Sequence, residues 1–367
     1  MNVLIMGGTQ FNGLALVHEL ARTGHHVTIL NRGKTEAHIP LGVQRLFADR
    51  NEPESVRTAL ADTQFDCVFD MTAYRLADVE LMTDIFRGRV GHFVFIGSTV
   101  IYDEAQVLPI TENYPVDRGE RQNEYGLNKL LCEDFLIAEQ RRSGFPATVV
   151  SLSMGFGPRN ILPDREQRMF ARLLQQRPIL IPGDGQRLGQ VGHVDDQARA
   201  MRMLMGQPQT FGKRYNLTGA DAYTAEGYVD TFARILGVEA HKVFIPASLM
   251  DDLWDGRRSV EPMAANTKID TRLTARSDDT SRVRGQLSFL IAHTAPNINR
   301  WNRSVVYSID RLRRDVGWEP EYTFAAAVDQ TYAWFRREGL NKTVMFDFGF
   351  EDQLLQLVDE WHDEHAD

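Results

Sequence analysis

The amino-acid sequence predicts an α/β fold, a doubly wound parallel sheet followed by a smaller C-terminal α/β region. Within the first 155 residues, short apolar runs alternate with stretches of helical period. Strands buried on both faces of a parallel sheet are continuously apolar, and the helices between them cover those faces. The runs that we interpret as strands are 2–7, 26–31, 43–49, 65–72, 92–98 and 146–153.

The pattern is less regular after residue 160. Helical period returns at 165–177, 195–206 and 224–237, and a short apolar run follows at 241–246. Residues 262–296 are polar, carry mixed charge and show no clear period, which predicts an insertion such as a mobile loop or a lid. We therefore divide the chain into a sheet domain, a second α/β region and a C-terminal acidic helix, with the bounds 1–155 plus parts of 190–220, 156–190 plus 221–345, and 346–367.

Composition excludes several function classes. The 367 residues are 43% hydrophobic and 25% charged, as in soluble globular proteins. The formal net charge is -9 and no long basic block occurs, so we expect no nucleic-acid partner. No apolar run reaches the ~18 residues of a membrane span, and the N-terminus does not read as a signal peptide, which predicts a cytoplasmic protein without a membrane partner. The two cysteines, Cys67 and Cys132, offer no metal-ligand spacing, and we predict no metal site.

The first apolar run leads directly into a glycine-rich turn. Glycines between a strand and a helix let the backbone approach a dinucleotide pyrophosphate, and the helix start supplies free N–H groups. Gln10 stands where this fingerprint usually has a further glycine. We predict that the whole turn binds the cofactor, namely Gly7, Gly8, Thr9, Gln10, Phe11, Asn12 and Gly13.

The ends of the second and third apolar runs indicate which dinucleotide binds. An acidic residue after the second strand would bind the ribose 2′-hydroxyl of NAD, but Asn31, Arg32 and Lys34 occupy this place. A guanidinium suits the 2′-phosphate of NADP, although it can also stack on adenine. We therefore predict NADP, with NAD as the alternative. Asp49 and Arg50 are further predicted contacts, and Asp49 either accepts a hydrogen bond from the adenine amino group or only forms a strand-end turn.

Six short motifs follow one another along the chain. They are "GGTQFNG" (7–13), "FIGSTVIYD" (95–103), "YGLNK" (125–129), "GFGPRN" (155–160), "GHVDDQA" (192–198) and "DVGWEP" (315–320). The ordered set resembles the extended, or atypical, short-chain dehydrogenases/reductases of the NAD-dependent epimerase/dehydratase family, over roughly residues 1–340. This resemblance implies a Rossmann-type sheet and a C-terminal region that binds a small-molecule substrate, often a nucleotide sugar.

The resemblance also implies catalytic roles. Tyr125 would be the general acid or base of a hydride transfer. An unperturbed phenol has a pKa near ~10, and a cation one helical turn away stabilises its phenolate. Lys129 supplies that cation and would bind the nicotinamide ribose. Ser98 matches the hydroxyl that hydrogen-bonds the reacting oxygen, with Thr99 as the neighbouring alternative. The residues expected along the nicotinamide side are Thr72, Ala73 and Tyr74.

Departures from the family pattern narrow the chemistry. The family's 4,6-dehydratases carry an Asp–Glu pair after the catalytic hydroxyl, whereas this chain has Thr99 and Val100, so we do not expect dehydration. Ser151, Met154 and Gly189 replace residues that often contact a nucleotide diphosphate. The arginines that could take over these contacts, and that otherwise are solvated surface charges, are Arg159, Arg168, Arg172 and Arg187.

The predicted function is that of an NAD(P)-dependent epimerase or reductase of a nucleotide sugar or related carbohydrate. One alternative is an NADPH-dependent reductase of a natural-product ketone without a nucleotide. Another is a non-catalytic cofactor-binding protein, because "GGTQFNG" and "GHVDD" also resemble stem-loop RNA-binding members of the family. A homodimer through helices 76–88 and 125–142 is expected by resemblance, unless their apolar residues face their own sheet. These residues are Leu81, Ile85, Leu130, Leu131, Phe135 and Leu136.

Overall fold

The computed structural model describes residues 1–120, 122–162, 165–261, 279–294 and 301–366. The strands, numbered in chain order, are β1 (Asn2–Met6), β2 (His26–Asn31), β3 (Gln44–Phe47), β4 (Phe65–Asp70), β5 (Val90–Ser98), β6 (Ala147–Leu152), β7 (Gly155–Phe156), β8 (Ile179–Pro182), β9 (Leu188–Gly189), β10 (Gly192–His193), β11 (Arg214–Leu217), β12 (Tyr223–Thr224) and β13 (Lys242–Ile245). The helices are α1 (Phe11–Arg22), α2 (Pro53–Leu60), α3 (Leu76–Phe86), α4 (Glu124–Ser143), α5 (Glu166–Leu174), α6 (Val194–Leu204), α7 (Ala225–Leu236), α8 (Ala247–Asp255), α9 (Asp279–Thr294), α10 (Asp310–Val316), α11 (Phe324–Arg337), α12 (Leu340–Thr343) and α13 (Gly349–Glu364).

Seven of these strands form one parallel sheet in the order β11-β6-β5-β4-β1-β2-β3. This confirms the predicted doubly wound parallel sheet, and all six predicted strands are present. The seventh, β11, was missed because Arg214 and Asn216 make it polar. The strand order reverses between β1 and β4, and folds of this kind bind ligands in the crevice at the carboxyl ends of such a strand pair.

The sheet is buried on both faces. In β1, Val3 and Ile5 pack with residues of α1 and α6, whereas Leu4 and Met6 pack with residues of α3 and α4 on the other face. All four side chains are at most 1% exposed, which is the reason why continuous apolar runs predicted strands here. Within the described residues, every helix is too short or too polar to span a bilayer.

A second core lies in the C-terminal region, between α5, α7, α8, α11 and α13. Phe170 of α5 packs on Phe232 of α7, with 5.1 Å between the ring centroids. Glu351 of α13 pairs with both Arg168 and Arg172 of α5. These arginine side chains are 2% and 3% exposed, so the expectation that they are solvated surface charges is wrong. They hold α13 against the second core.

Part of the region 262–296 also differs from its prediction. Residues 279–294 form α9, and Val283, Leu287 and Leu290 are buried in the second core. Their spacing of four and three residues is that of one helix face, a weak signal among polar neighbours. The rest of the predicted insertion, 262–278 and 295–296, lies outside the described residues.

Most of the apolar residues named for a dimer contact face their own fold instead. α3 and α4 pack on each other and on the sheet, so Leu81, Ile85, Leu130 and Leu136 are 0–8% exposed. Leu131 alone of the six is well exposed, at 47%. The homodimer stays a prediction, and those four side chains cannot supply its contact.

Candidate active site

The glycine turn between β1 and α1 has the geometry of a phosphate cradle. Gly7 and Gly8 have φ angles of 108° and 82°, which only glycine adopts readily. A Cβ atom on Gly8 would lie 2.8 Å from the Ile29 Cγ2, and one on Gly13 would lie 3.1 Å from the backbone of Gly8. The helix start is therefore pressed closely against the turn. Gln10 is the N-cap of α1 and makes no side-chain capping hydrogen bond, so the helix start suits a bound anion.

Two side chains of the turn contact neighbouring elements of the fold. Thr9 is half-buried within the turn. Phe11 has a φ of 34°, and its ring lies against Gly155 at β7. The Asn12 amide donates to Gln197 of α6. Phe11 and Asn12 thus fasten the turn to its neighbours, which accounts for both side chains without a ligand.

Cationic side chains gather at the ends of β2 and β3. Arg32 and Lys34 are exposed just after β2. The Asn31 Oδ1 accepts from the Gly33 N–H at 2.9 Å and from the Arg45 Nη2 at 3.3 Å. Arg45, which the sequence analysis missed, pairs in register with Ile29 on β2, and its guanidinium lies 5.3 Å from the Phe47 ring centroid. The β2–β3 register was the signal that could have located it.

Asp49 and Arg50 have internal partners. The Asp49 Oδ1 accepts from the backbone and side-chain amides of Asn51, at 3.0 and 3.1 Å. Asp49 therefore forms a strand-end turn, which was one of the two roles expected for it. The Arg50 guanidinium pairs with Asp70, with 2.8 and 2.9 Å between its Nη2 and the two carboxylate oxygens. A buried carboxylate thus binds the Arg50 guanidinium, and the predicted contact of Arg50 with the cofactor stays a prediction.

Lys129 lies at the centre of the site and is 2% exposed. Asn123 caps α4 by accepting from the Gly126 N–H at 2.8 Å, which places Tyr125 in the first turn of the helix and Lys129 one turn later. The Lys129 Nζ donates to the carbonyls of Ala73 and Ile96, each at 2.8 Å. Burial lowers the pKa of Lys129 to about 8. α4 is thus joined to the carboxyl ends of β4 and β5 through one ammonium.

Two phenol rings flank this ammonium. The Lys129 Nζ lies 4.6 Å from the Tyr74 ring centroid and 5.7 Å from that of Tyr125. The two ring centroids are 6.0 Å apart. Tyr74 is 40% exposed and Tyr125 is half-buried. Thr72, in the same loop as Tyr74, lies beside the glycine turn, since a Cβ atom on Gly7 would be 2.9 Å from its Cγ2. The predicted nicotinamide side and the Tyr–Lys pair therefore meet.

The structure distinguishes the two candidate hydroxyls. Ser98 is half-buried and caps a single 3₁₀ turn, Thr99–Ile101, by accepting from the Val100 N–H at 3.3 Å. This bond uses the Ser98 oxygen as acceptor and does not use the hydroxyl proton. Thr99 is 5% exposed and hydrogen-bonds to Tyr307, whose pKa burial raises to about 12. Ser98 is the better candidate of the two.

The arginines expected to replace the diphosphate contacts are mostly engaged. Arg168 and Arg172 pair with Glu351, and Arg187 pairs with Asp184 at 3.2 Å. Arg159 is exposed.

At the carboxyl ends of β6 and β11, the hydroxyls of Ser153 and Thr218 are buried and make no hydrogen bond within the described part of the chain. The sequence analysis missed both. In the described ranges, no three His, Cys, Asp or Glu side chains are grouped to hold a metal ion.

The chain is similar to known proteins in sequence and in fold. The model of the NAD dependent epimerase/dehydratase family matches residues 3–218. The chain is 29% identical over 248 residues to the chloroplast stem-loop binding protein of 41 kDa b of Arabidopsis thaliana, an alignment that spans 64% of this chain and 63% of that protein. It is 24% identical to the 2′-dehydrokanamycin reductase of Streptomyces kanamyceticus, over 67% of this chain and 70% of the reductase.

Solved structures show the same fold. The dTDP-glucose 4,6-dehydratase of Bacillus anthracis, in complex with NAD, superposes with a TM-score of 0.68 at 15% identity, over 93% of this chain and 98% of that chain. The UDP-glucose 4-epimerase of Thermotoga maritima, with UDP-glucose, has a TM-score of 0.68 at 17% identity, over 92% and 99%. At these identities the likeness concerns the fold alone.

Proposed function

Because the chain belongs to the NAD-dependent epimerase/dehydratase family, we propose that it is an NADP-dependent oxidoreductase that moves a proton between Tyr125 and a carbohydrate oxygen. The observation that carries this proposal is the buried Lys129 ammonium, held by the carbonyls of Ala73 and Ile96 beside the Tyr125 ring. A surface Tyr–Lys pair would not be desolvated in this way. Perturbed, buried titratable groups in a crevice are typical of catalytic sites.

The described residues fit a dinucleotide. The turn of Gly7, Gly8 and Gly13 has room for no side chain, and the buried Ser153 hydroxyl has no partner within the described residues. When bound, the nicotinamide would supply or accept the hydride. The cations that support NADP rather than NAD are Arg32 and Lys34 after β2, and Arg45 on β3, because a 2′-phosphate adds charge that guanidinium groups bind well.

The side chains divide the proton chemistry between them. Tyr125 gives or takes the proton of the reacting oxygen, and the Lys129 ammonium stabilises the phenolate form through the low-dielectric interior. Two of the three N–H groups of the Lys129 ammonium donate to carbonyls. These two hydrogen bonds fix the direction of the third N–H group. The Ser98 proton is directed to the same substrate oxygen and polarises it.

The arginine partners favour a substrate without a nucleotide diphosphate. Arg168 and Arg172 are paired with Glu351. Ser151 and Met154 carry no charge at positions that often contact a nucleotide diphosphate. A one-way reductase of a carbohydrate ketone agrees with this pattern, and one relative is a reductase. A nucleotide-sugar epimerase is the second candidate. Dehydration lacks support because the two residues directly after Ser98 are Thr99 and Val100 and not a pair of carboxylates.

The first experiment identifies the cofactor. Purified protein is denatured and any released nucleotide is identified by mass, and the emptied protein is titrated with NADPH and NADH. Tight, stoichiometric oxidised cofactor would support an epimerase, whereas reversible preference for NADPH supports the reductase. Arg32→Ser should weaken NADPH binding about tenfold and leave NADH unchanged, while Arg22→Ser, on the exposed side of α1, should change neither. Absence of binding by either dinucleotide would overturn the proposal.

The second experiment assigns the proton donor between two neighbouring phenols. Wild type, Tyr125→Phe and Tyr74→Phe are assayed for NADPH oxidation with nucleotide-free keto sugars, and with UDP-glucose and dTDP-glucose for isomerised products. We expect Tyr125→Phe to lose about 10²- to 10⁴-fold in turnover while it retains NADPH affinity, and Tyr74→Phe to stay within a few fold of wild type. The reverse ranking would contradict the assignment. No turnover by wild type, together with retention of a stem-loop RNA, would support the non-catalytic alternative instead.

A further inference from the structure

We propose that the buried ion pair of Arg50 and Asp70 is a positioning device for Lys129, which fixes the carbonyl that binds the ammonium and balances the electrostatic potential there. The inference rests on the proposed function. Neither residue touches the reacting atoms in this scheme, and both act through the loop 71–75 that follows β4.

Asp70 shapes this loop from the inside of the fold. It is the last residue of β4, and its side chain is fully buried. Its Oδ1 accepts from the Thr72 and Ala73 N–H groups, at 3.1 and 3.0 Å. The Ala73 carbonyl, which belongs to the same turn, accepts from the Lys129 Nζ at 2.8 Å. One carboxylate therefore sets the position of one of the two carbonyls that hold the ammonium.

Arg50 holds Asp70 from the opposite side. Its Nη2 lies 2.8 and 2.9 Å from the two Asp70 oxygens, and its Nη1 donates to the Asp78 carbonyl at 3.3 Å. The Asp78 carboxylate in turn accepts from the Tyr74 and Arg75 N–H groups, each at 2.9 Å. A buried carboxylate is tolerated only when such donors compensate its lost hydration. The loop that carries Tyr74 is thus fixed at both ends.

The pair also controls the charge around Lys129. Burial has the largest effect on the pKa of Lys129 and lowers it, whereas Asp70 and Asp78 favour the ammonium and Arg50 disfavours it. The Cys132 thiol on α4 also faces Lys129, but burial raises the pKa of this thiol to about 12, so it is uncharged in the pH range of the test. The Tyr74, Tyr125 and Phe95 rings complete the surroundings. Because Arg50 and Asp70 have opposite signs, the intact pair acts as a dipole, and removal of either charge leaves the other uncompensated. The two single variants should therefore shift the titration of Lys129 in opposite directions.

The test uses NADPH affinity of the full chain, measured by fluorescence from pH 6 to 10, for wild type, Asp70→Asn, Arg50→Met and the double variant. We expect the midpoint of the alkaline loss of affinity to fall by about one pH unit in Asp70→Asn, to rise by about as much in Arg50→Met, and to return close to wild type in the double variant. Lys129→Met should abolish this midpoint. The matched controls are Arg57→Met and Asp84→Asn, an exposed pair on α2 and α3, which should leave it unchanged.

Each outcome decides the inference. Unmoved midpoints, or shifts of the same sign in both single variants, would mean that the pair serves folding only. If Asp70→Asn does not fold, Arg50→Met and the charge-preserving Arg50→Lys still discriminate, because only the former should move the midpoint. If wild type binds neither NADPH nor NADH at any pH, the proposed function itself fails, and this result is distinct from normal binding with an unmoved midpoint.

Discussion

Replacing Lys129 with Met should remove a pH dependence of stability that comes from burying an ammonium. Burial lowers the pKa of Lys129 from 10.5 to about 8, so between these two values the unfolded chain holds a proton that the folded chain has released. Stability therefore rises with pH through this window. Each pH unit of displacement corresponds to about 1.4 kcal/mol. The contribution of this residue to the rise is then about 3 kcal/mol in total.

The measurement is urea unfolding of wild type and Lys129→Met at pH 7, 8, 9 and 10. Met also removes the hydrogen bonds to Ala73 and Ile96, a cost that does not depend on pH, so only the change in the difference between the two proteins is informative. We expect the free energy of unfolding of wild type to increase by about 3 kcal/mol relative to that of the variant as the pH rises through this window. Taking the difference cancels the titration of the tyrosines that lie away from Lys129, because they titrate alike in both proteins.

Lys213→Met is the matched control, because Lys213 is 45% exposed and pairs with Asp315 at the surface. Its stability curve should run parallel to that of wild type across the same pH range. Parallel curves for Lys129→Met as well would refute the reasoning, since they would show that the folded protein does not pay a desolvation penalty for the ammonium. A slope of the opposite sign would mean that the interior stabilises the charge.

Two further predictions concern the cradle and the second core. Gly8→Ala should destabilise the protein by about 2 kcal/mol more than Gly24→Ala. Both glycines have φ near 80°, but only Gly8 has a neighbour, Ile29, where the Cβ would be placed. Equal losses of the free energy of unfolding in chemical denaturation would contradict a tightly packed turn. Glu351→Gln should lower the free energy of unfolding by about 3 to 5 kcal/mol, because it leaves two buried guanidinium groups without their carboxylate. Asp352→Asn, whose carboxylate pairs with Arg177 at the surface, should lower it by under about 1 kcal/mol. A loss in Glu351→Gln no larger than in its neighbour would mean that the buried pair is hydrated.

The fold could be predicted from sequence where burial and local chemistry agree. The six apolar strands and the glycine turn are local signals, since parallel strands buried on both faces have few polar residues. β11 escaped because its polar residues are satisfied by distant partners, as when Asn216 accepts from the Tyr102 hydroxyl at 2.6 Å. α9 escaped because only a few apolar residues mark its buried face. Both depend on tertiary contacts that no short window of sequence contains.

The candidate site likewise combines local sequence signals with contacts from distant parts of the chain. Tyr125 and Lys129 are one helical turn apart, so spacing alone could propose them as a pair on one face of α4. What makes the lysine unusual comes from elsewhere in the chain: the carbonyls of Ala73 and Ile96 and the ion pair of Arg50 with Asp70. The pairing of Arg50 with Asp70 could not be predicted, because a strand-end arginine gives no sign in the sequence of whether it faces a ligand or a buried carboxylate.

The burial of Lys129 affects the stability of the fold. A lysine whose ammonium is bound by the Ala73 and Ile96 carbonyls cannot also be hydrated, so the fold carries the desolvation cost at all times. The two carbonyls offset part of that cost and, at the same time, fix the direction of the remaining N–H. Lys129→Met should therefore gain in stability relative to wild type as the pH falls from 10 to 7, while Tyr125→Phe, which leaves the ammonium in place, should keep the wild-type slope. If both variants changed the slope alike, the titrating unit would be the pair rather than the lysine.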